Sequence, residues 1–547
     1  MLNDLPSELW SQIFDLAADE DILFQHGFPS VMAESAWYKD YILGEWRLRS
    51  PREAMNLLQR RSYFTKKSII MTCRRWRELG SEFLFRCLYF SDPYKLISLC
   101  SILDSSAAAS STITMSLGWW TKRIHISRYH PSPSRGASLE DMENALASII
   151  RHCPNLEIFV MEKPMGPTFG PVADALSTFA RRSLHTVQWN VPGESLSKVI
   201  WALSVLPRLV AAQIDVESPV TSAQEMANLG SAANLILKLP HLQHLSLRGY
   251  VEELVEQATS WHLPSLKTFS IDSGVSTNDL PDVVEFIKQH GHSLGLLDLN
   301  CTPILDVATI LDLCPNICTF SFNCDWRISP HDEISSQLAR VPHPNITSIG
   351  LHGLSSAFGV GLGAPRASPL DPTEFYRSMT QRSNDLNMAA LNKRNFPNLQ
   401  RVRALSRTML NDLNRADGPN VENGGYERWN RWWTHCTTHG IRLEDCTGQM
   451  LGTLPEDEPE ESSSEEEEES EEEDESEGED SWGTASEDEE DEEDEEEPHD
   501  FPPLPGGVNR TPELTLLLQE VRAMNMGRDE ELMARVRIPR PPSPPSP

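Results

Sequence analysis

No stretch of the 547-residue sequence contains the run of about 18 to 20 apolar residues that a membrane-spanning helix needs. The sequence also lacks the glycine-rich phosphate-binding loops, the G-x-S-x-G nucleophile motif and the H-E-x-x-H zinc motif. We therefore expect no membrane partner, no catalytic residues and no cofactor. These absences favour an interaction protein over an enzyme.

Lysine and arginine are absent from residues 456–500, which carry 30 aspartates and glutamates. Without them the chain has 81 − 30 = 51 acidic residues against 47 basic ones, so the net charge of −34 belongs to one tail. The remainder is nearly neutral, and we expect no direct nucleic-acid binding. The segment 455–500 has almost no apolar residues to bury, which predicts an acidic, disordered tail.

Cysteine occurs ten times, mostly inside apolar runs, as at Cys73, Cys87, Cys153 and Cys314. This pattern predicts buried free thiols in a cytoplasmic or nuclear protein. The tightest cluster, Cys314, Cys318 and Cys324, has spacings that suit no common zinc motif, so we expect no metal site.

One Cys–His group lies near the end of the globular region, at His435, Cys436 and His439. A cysteine beside a histidine is a possible nucleophile site. We favour the interpretation that these three are ordinary loop residues, and a catalytic role is the weaker hypothesis.

The opening stretch "LNDLPSELWSQIF" predicts a helix. Pro6 suits the first helical position and Glu8 suits the first turn. An apolar stripe follows at helical spacing, with Trp10 and Phe14 beside it. Its members are Leu9, Ile13 and Leu16. A polar, turn-rich stretch is expected next, from about residue 19 to residue 63.

The segment "KKSIIMTCRRWRELGSEFLFRCLYF" carries Ile69, Cys73 and Trp76 at spacings that predict one shared helix face. Gly80 predicts the end of that helix. Ser81 then predicts the cap of a second helix. The apolar residues of that second helix are Leu84 and Leu88.

Nine stretches from residue 153 to residue 405 share the pattern of an apolar residue, two variable residues, an apolar residue, one variable residue and an apolar residue. The first apolar positions are Leu156, Leu184, Leu209, Leu242, Leu266, Leu294, Ile317, Ile346 and Leu399. A spacing of 23 to 33 residues up to Ile346 is the leucine-rich-repeat period. It predicts an α/β solenoid over 120–450, with a parallel sheet, outer helices such as "SKVIWALSVL" and "DVVEFIKQH", and an insertion near 355–395.

The asparagine ladder of the repeat consensus is missing, because the corresponding positions are Tyr250, Gly274, Thr302 and Asp325. We therefore expect an irregular solenoid. Residues 428–448 are rich in tryptophan, which predicts a cap for the last repeat, with a surface for stacking bases as the alternative. Beyond the acidic tail, residues 510–527 predict a short amphipathic docking helix, and residues 528–547 a flexible proline-rich end.

The two N-terminal segments together resemble an F-box over residues 1–95, interrupted by a long insertion of about 45 residues. The matching residues of the first half are Leu5, Pro6, Glu8, Leu9 and Ile13, and those of the second are Ile69, Cys73, Trp76, Leu79, Leu84 and Leu88. Over residues 1–450 the layout is similar to the large fungal F-box proteins with leucine-rich repeats, whose later regions also end in a tryptophan-rich stretch.

This resemblance implies the substrate receptor of a Skp–cullin–F-box ubiquitin ligase, which needs no nucleophile of its own. It implies that a Skp-type adaptor, and through it a cullin, binds the N-terminal helices. The residues expected to contact the adaptor are Leu5, Pro6, Leu9, Ile13, Ile69, Cys73, Trp76, Leu84 and Leu88.

The solenoid reading places the residues between the strand leucines on the concave face, where we expect an unknown protein substrate to bind. These residues are Gln213, Asp215, Ser246, Arg248, Ser270, Asp272, Asp298 and Asn300. A second hypothesis follows from the acidic tail, because leucine-rich repeats with such a tail also resemble the acidic nuclear phosphoproteins that bind histones. In that case basic proteins bind the tail by salt-sensitive electrostatic attraction.

Overall fold

The computed structural model describes residues 5–40, 44–92, 94–109, 116–127, 138–165, 169–217, 229–273, 283–300, 307–326, 339–364 and 373–456. The predictions for the acidic tail after residue 456, for 510–527 and for 528–547 lie outside the described residues, as does part of the predicted insertion near 355–395. Among the described residues, no helix combines the length and the apolar character that crossing a bilayer requires.

The described residues of the N-terminal part form three α-helices and a two-stranded antiparallel sheet. The helices are α1 (Ser7–Ala18), α2 (Pro51–Thr72) and α3 (Arg74–Arg86), and the strands are β1 (Ala36–Lys39) and β2 (Trp46–Arg49). A capping box starts α2, because the Ser50 side chain accepts from the Glu53 amide while the Glu53 carboxylate accepts from the Ser50 amide. The described residues that follow form an α/β unit.

Twelve described strands form one parallel sheet in which every strand lies beside its sequence neighbours. They are β3 (Cys87–Phe90), β4 (Arg123–Ile126), β5 (Ile158–Met161), β6 (Thr186–Pro192), β7 (Ala211–Glu217), β8 (His244–Gly249), β9 (Thr268–Asp272), β10 (Leu296–Asn300), β11 (Thr319–Asn323), β12 (Ser348–His352), β13 (Arg401–Ala404) and β14 (Arg442–Glu444). The predicted α/β class and parallel sheet are confirmed.

Helices accompany these strands. They are α4 (Tyr94–Ala109), α5 (Leu139–His152), α6 (Phe169–Phe179), α7 (Leu196–Ser204), α8 (Glu252–Thr259), α9 (Val283–His290), α10 (Val307–Leu313), α11 (Thr373–Ala390), α12 (Arg407–Arg415) and α13 (Gly425–Thr438). Neighbouring helices from α4 to α7 and from α8 to α10 pack against one another. Helices that pack against one another in this order lie on one face of the sheet. The helices predicted near 197–206 and 282–290 are present as α7 and α9.

The core lies between the helices and one face of the sheet. Each of the nine aligned motif residues from Leu156 to Leu399 is fully buried and lies two residues before a strand. The strands add rows of apolar side chains in lateral register, because alternate residues of a strand face the same side. One such row contains Ile214, Leu247, Ile271, Leu299, Phe322 and Leu351. Each fully buried side chain of this size contributes about 1.5–3 kcal/mol by leaving water.

The predicted secondary structure of residues 19–90 is wrong in three places. Residues 51–63 belong to α2 rather than to a turn-rich stretch. The expected helix through residues 69 to 76 breaks at Cys73, whose sulfur accepts from the Trp76 amide and caps α3. Gly80 ends no helix, because α3 continues through it to Arg86, and Leu88 lies in strand β3. The large sheet therefore starts inside the region 1–95 that was assigned to the F-box.

The helix α2 lies across the face of the sheet that the other helices leave bare. Arg52 contacts Glu162, just after β5, at 2.9 Å, and the adjacent Glu53 contacts Arg407, at the start of α12, at 3.4 Å. From β5 to β13 is eight strand positions, or about 38 Å in a flat sheet at about 4.8 Å per strand. Two adjacent side chains do not span that distance, so the sheet curves around the start of α2 and its bare face is concave.

A buried arginine fixes the segment before β1 to the far end of this concave face. Arg403 on β13 donates to Glu444 on β14 at 2.7 Å and to Glu34 at 2.9 Å, and it also donates to the carbonyl of Met32. Burial raises the pKa of Glu34, against the lowering effect of Arg403. The guanidinium therefore joins the N-terminal segment to the last two strands.

We predict that Arg403→Met lowers the free energy of unfolding by about 3–5 kcal/mol, because it leaves the buried Glu444 carboxylate without its main partner. Arg442→Met is the matched control, since Arg442 contacts the same carboxylate at 3.3 Å from an exposed position. Its effect should stay below about 1 kcal/mol. Urea unfolding measures both, and equal losses would contradict this account.

Candidate protein-docking surfaces

An aromatic cluster joins α1 to α3, and Ile69 of α2 packs against it. The three helices are named here the helical unit. Trp76 of α3 lies between two rings of α1, with centroids 4.8 Å from Trp10 and 5.3 Å from Phe14. Phe83 contacts Phe14 edge-on at 6.1 Å. Trp10, Phe14 and Phe83 are buried, which makes this cluster the separate core of the helical unit.

The opposite side of α1 is apolar and exposed. Leu9 and Ile13 are each 43% exposed, and Leu16 is 80% exposed. These three residues, named here the α1 stripe, follow one another at helical spacing, whereas Trp10 and Phe14 between them point inward. A helix with one apolar face packed and a second one exposed has the form of a docking element.

The nine residues predicted to contact an adaptor fall into three groups. Pro6, Leu9, Ile13 and Cys73 are exposed, and Leu5, Ile69, Trp76 and Leu84 are half-buried. Leu88 is 8% exposed and belongs to the core under β3. Trp76 packs inside the aromatic cluster, so only part of its ring is available to an adaptor. The sequence contained a signal for this packing, because Trp10 and Phe14 of α1 are the aromatic partners of Trp76.

A buried ion pair joins α2 to the segment that follows α1, and a hydrogen bond joins that segment to the sheet. The Lys66 ammonium of α2 contacts the Glu20 carboxylate, which also accepts from the Ser62 hydroxyl at 2.9 Å. Nearby, Arg123 on β4 donates to the carbonyl of Leu23 at 2.8 Å. Both partners of the pair are almost fully buried, so removal of either one would leave a costly unpaired charge.

The concave face carries all eight residues predicted to bind substrate. Strand register places Gln213, Ser246, Ser270 and Asp298 in one row. It places Asp215, Arg248, Asp272 and Asn300 in the next row. Arg248 is exposed, Gln213 and Asp298 are buried, and the other five are half-buried. The structure therefore brings the set together on one face, and substrate binding there stays a prediction.

Two residues that the sequence analysis missed complete this polar surface. His352 donates to Asp298 at 2.7 Å, and Asp298 also accepts from Ser270 at 2.7 Å. Asn323 donates to Asn300 at 3.0 Å, and Asn300 donates to Asp272 at 3.0 Å. Asn323 on β11 and His352 on β12 lie in the row of Asp215, Arg248, Asp272 and Asn300. Extending that row by two strands would have found both residues.

Burial shapes the ionisation of this surface. It raises the pKa of Asp215 and of Asp272 above the ordinary range of a carboxyl group. Burial alone would lower the pKa of His352, but the carboxylates of Asp298 and Asp272 raise it. A positive charge brought to this face would find carboxyl groups whose ionisation it favours.

A second polar network ties α2 to the opposite end of the concave face. His125 on β4 donates from Nε2 to Glu162 at 3.0 Å, and its Nδ1 accepts from Gln59 at 2.8 Å. Glu162 also accepts from Arg52 and, at 3.3 Å, from Asn56. Burial lowers the pKa of His125 to about 4, and the pKa of Glu162 falls to about 2 because these hydrogen bonds outweigh its burial.

The described cysteines are free thiols. Burial raises the pKa of Cys87 to about 11 and the pKa of Cys153 and Cys314 to about 12. The expectation of burial is wrong for Cys73, which is exposed. Cys436 is buried with a pKa raised to about 12, and His435 donates to the carbonyl of Leu391 at 3.0 Å. This pair is therefore not arranged as a thiolate nucleophile and its base.

The tryptophan-rich end packs inward. Trp429 and Trp432 on α13 are buried, and the Trp432 indole donates to Asp385 of α11 at 2.9 Å. Trp429 donates to the carbonyl of Leu451 and stacks on Trp433, with ring centroids 5.6 Å apart. The buried rings offer no platform for stacking bases, which supports the interpretation as a cap.

Within the described part of the chain, one group of residues has donors close enough to hold a metal ion: His26, Glu157 and His185, whose ligand atoms lie within 4.8 Å of one another. The two imidazoles stack face to face at 4.4 Å, whereas a coordinating lone pair lies in the plane of its ring. Lys122 already contacts Glu157 at 3.3 Å. As arranged, these residues do not fit a coordination site.

No protein-family model and no curated protein matches this chain. The case for a function therefore depends on the residues and the geometry described above.

We predict that the α2–sheet junction makes stability pH-dependent. His125 is neutral when folded and titrates near 6.5 when unfolded, so acidification favours the unfolded chain between pH 6.5 and about 4. Glu162, whose pKa falls from 4.5 to about 2, adds to this loss at lower pH. Wild type should lose on the order of 3 kcal/mol more than His125→Gln between pH 7 and pH 4.

Chemical unfolding at each pH measures this difference, with the exposed His241→Gln as the matched control. The control should follow wild type. If His125→Gln also follows wild type, the junction is not the source of the pH dependence.

Proposed function

We propose that this chain is a substrate receptor of the F-box type, in which the α1 stripe binds a Skp-type adaptor and the concave sheet face binds a protein substrate. In this proposal α1, α2 and α3 form an F-box-like unit, and β3–β14 with their helices form an irregular leucine-rich-repeat solenoid. The adaptor connects the chain to a cullin, and other subunits transfer ubiquitin.

The exposed α1 stripe is the observation that carries this proposal. Its three apolar side chains lie on the side of α1 that faces away from the aromatic cluster. Tyr63, Phe64 and Met71 of α2 are further exposed apolar residues of the helical unit. A stable interface needs a contiguous apolar centre, and the three side chains of the α1 stripe, adjacent at helical spacing, supply one.

The polar rows support the proposed substrate site. Arg248 projects from the centre of the concave face between the half-buried carboxyl groups of Asp215 and Asp272. Residues 26–34 and α2 contact β4, β6, β8 and β11–β13. The exposed Arg248 and the half-buried Asp215, Asp272 and Asn300 are therefore the groups of β7–β10 that we propose for ligand contact. We propose a protein ligand, because the available groups alternate in charge and are mostly small.

The alternative function, binding of histones or other basic proteins, is favoured by the 30 acidic residues of 456–500. Affinity capture of the full chain from cell extract separates the two. Recovery of the adaptor and cullin supports the receptor, whereas recovery of histones without them supports the alternative. The proposed location is the cytoplasm or the nucleus.

We predict that Leu9→Ala with Ile13→Ala lowers adaptor affinity at least thirtyfold, because loss of interface anchors commonly costs about 2 kcal/mol or more. The unfolding midpoint should stay nearly constant, because both side chains are largely exposed. Isothermal titration of purified adaptor into each full-length variant, with circular dichroism as a check on folding, measures both quantities.

Ile236→Ala with Leu362→Ala is the matched control, because these residues are 61% and 68% exposed and lie outside the helical unit. The control should bind like wild type. If the folded Leu9/Ile13 variant also binds like wild type, the α1 stripe is not the adaptor surface.

A further inference from the structure

The helical unit carries an uninterrupted set of positive charges. Between Arg60 and Arg77 there are seven lysines and arginines and no aspartate or glutamate. Lys66 is buried in its pair with Glu20, which leaves six cations toward the surface. Five of them are exposed and are named here the basic face: Arg60, Lys67, Arg74, Arg75 and Arg77.

The hydrogen bonds of Arg60 and Arg77 leave the positive charge of these two residues available to an anion. Arg60 donates to the Tyr89 hydroxyl at 3.4 Å, and Arg77 donates to the carbonyl of Ile70 at 3.4 Å. Both acceptors are neutral, so these contacts position the guanidinium groups without cancelling their charge. Arg75 donates to the carbonyl of Leu5 at 2.8 Å, which places the basic face beside the start of α1.

The same chain supplies a ligand of opposite charge. We propose that the acidic segment 456–500 docks on the basic face. The segment has 30 acidic residues and no basic ones, so it matches a face that has no acidic residue within its own sequence span. Tethering also gives it an effective concentration in the millimolar range, which favours it over a free competitor of similar charge.

The described end of the chain lies within reach of the basic face. The Ser35 amide donates to the carbonyl of Cys446 at 2.8 Å, so the chain leaves the globular region beside the segment that leads into α2. The 22 residues of α2 span about 33 Å. The disordered tail that the composition of residues 456–500 predicts would have a root-mean-square span of about 35–40 Å.

The docking is testable on the full chain alone, without an adaptor. Carbodiimide joins lysine amines to carboxylates that touch them, and mass spectrometry locates the product. Lys67 should cross-link to acids of 456–500 at least fivefold more than the exposed Lys163 and Lys267 do. The excess should disappear at about 0.5 M salt, because exposed charges are then screened beyond a few ångströms.

A charge-reversal pair decides whether the basic face is responsible. Arg60→Glu with Arg74→Glu keeps Lys67 as the reporter and should lower its cross-linking at least fivefold. Arg181→Glu with Arg394→Glu makes the same change in net charge at exposed sites elsewhere and should leave it unchanged. Equal yields at Lys67, Lys163 and Lys267, or equal effects of the two pairs, overturn the proposal.

Other polyanions form the second arm of the test. Single-stranded DNA and phosphatidylserine vesicles, added to the wild-type chain, should bind weakly while the acidic segment occupies the basic face. The proposal is overturned if the wild-type chain lacks the Lys67 cross-links and binds the DNA or the vesicles tightly, and if the Arg60/Arg74 variant loses that binding. Such a result assigns the basic face to nucleic acid or to a membrane.

Discussion

A parallel sheet with a single layer of helices leaves its second face uncovered, and the contacts across that face organise the rest of this molecule. The junction of α2 with Glu162 and His125 occupies one end of the face. The bonds of Arg403 to Glu34 and Glu444 occupy the other end. Because Arg403, Glu444 and His125 are buried polar groups that would be left unsatisfied without these partners, the contacts fix one arrangement of the helical unit on the sheet.

This arrangement separates three surfaces of different chemistry. The α1 stripe is apolar, the basic face on α2 and α3 is cationic, and the rows of β7–β10 combine carboxyl groups with Arg248. In α1 and α2 the exposed side of the helix lies apart from a side that is packed inside the protein. Trp10 and Phe14 bury one side of α1, and Lys66 buries one charge of α2 against Glu20. The proposed functions follow from these exposed sides.

Local patterns in the sequence were sufficient to predict nine of the twelve described strands of the sheet, β5 to β13. The motif residues recur at intervals of 23 to 33 residues up to Ile346, and each one lies two residues before its strand. The structure of residues 19–63 was missed although Ser50, Pro51 and Glu53 form a readable capping box. The contacts of this region with the sheet could not be predicted, because Arg403 and Glu34 are 369 residues apart and no sequence periodicity relates them. The sequence also showed two apolar sides of α1 without indicating which one is covered, so the inward position of Trp76 was not foreseen.

The central claim is that the helical unit, held in place on the sheet, presents the α1 stripe to an adaptor. Hydrogen–deuterium exchange of the full chain with and without a Skp-type adaptor tests it most directly, because it reports protection at each segment. The account predicts that the adaptor slows exchange in residues 7–18 and leaves β7–β10 unchanged. Unchanged exchange in residues 7–18 at saturating adaptor, or protection confined to the sheet, would contradict it.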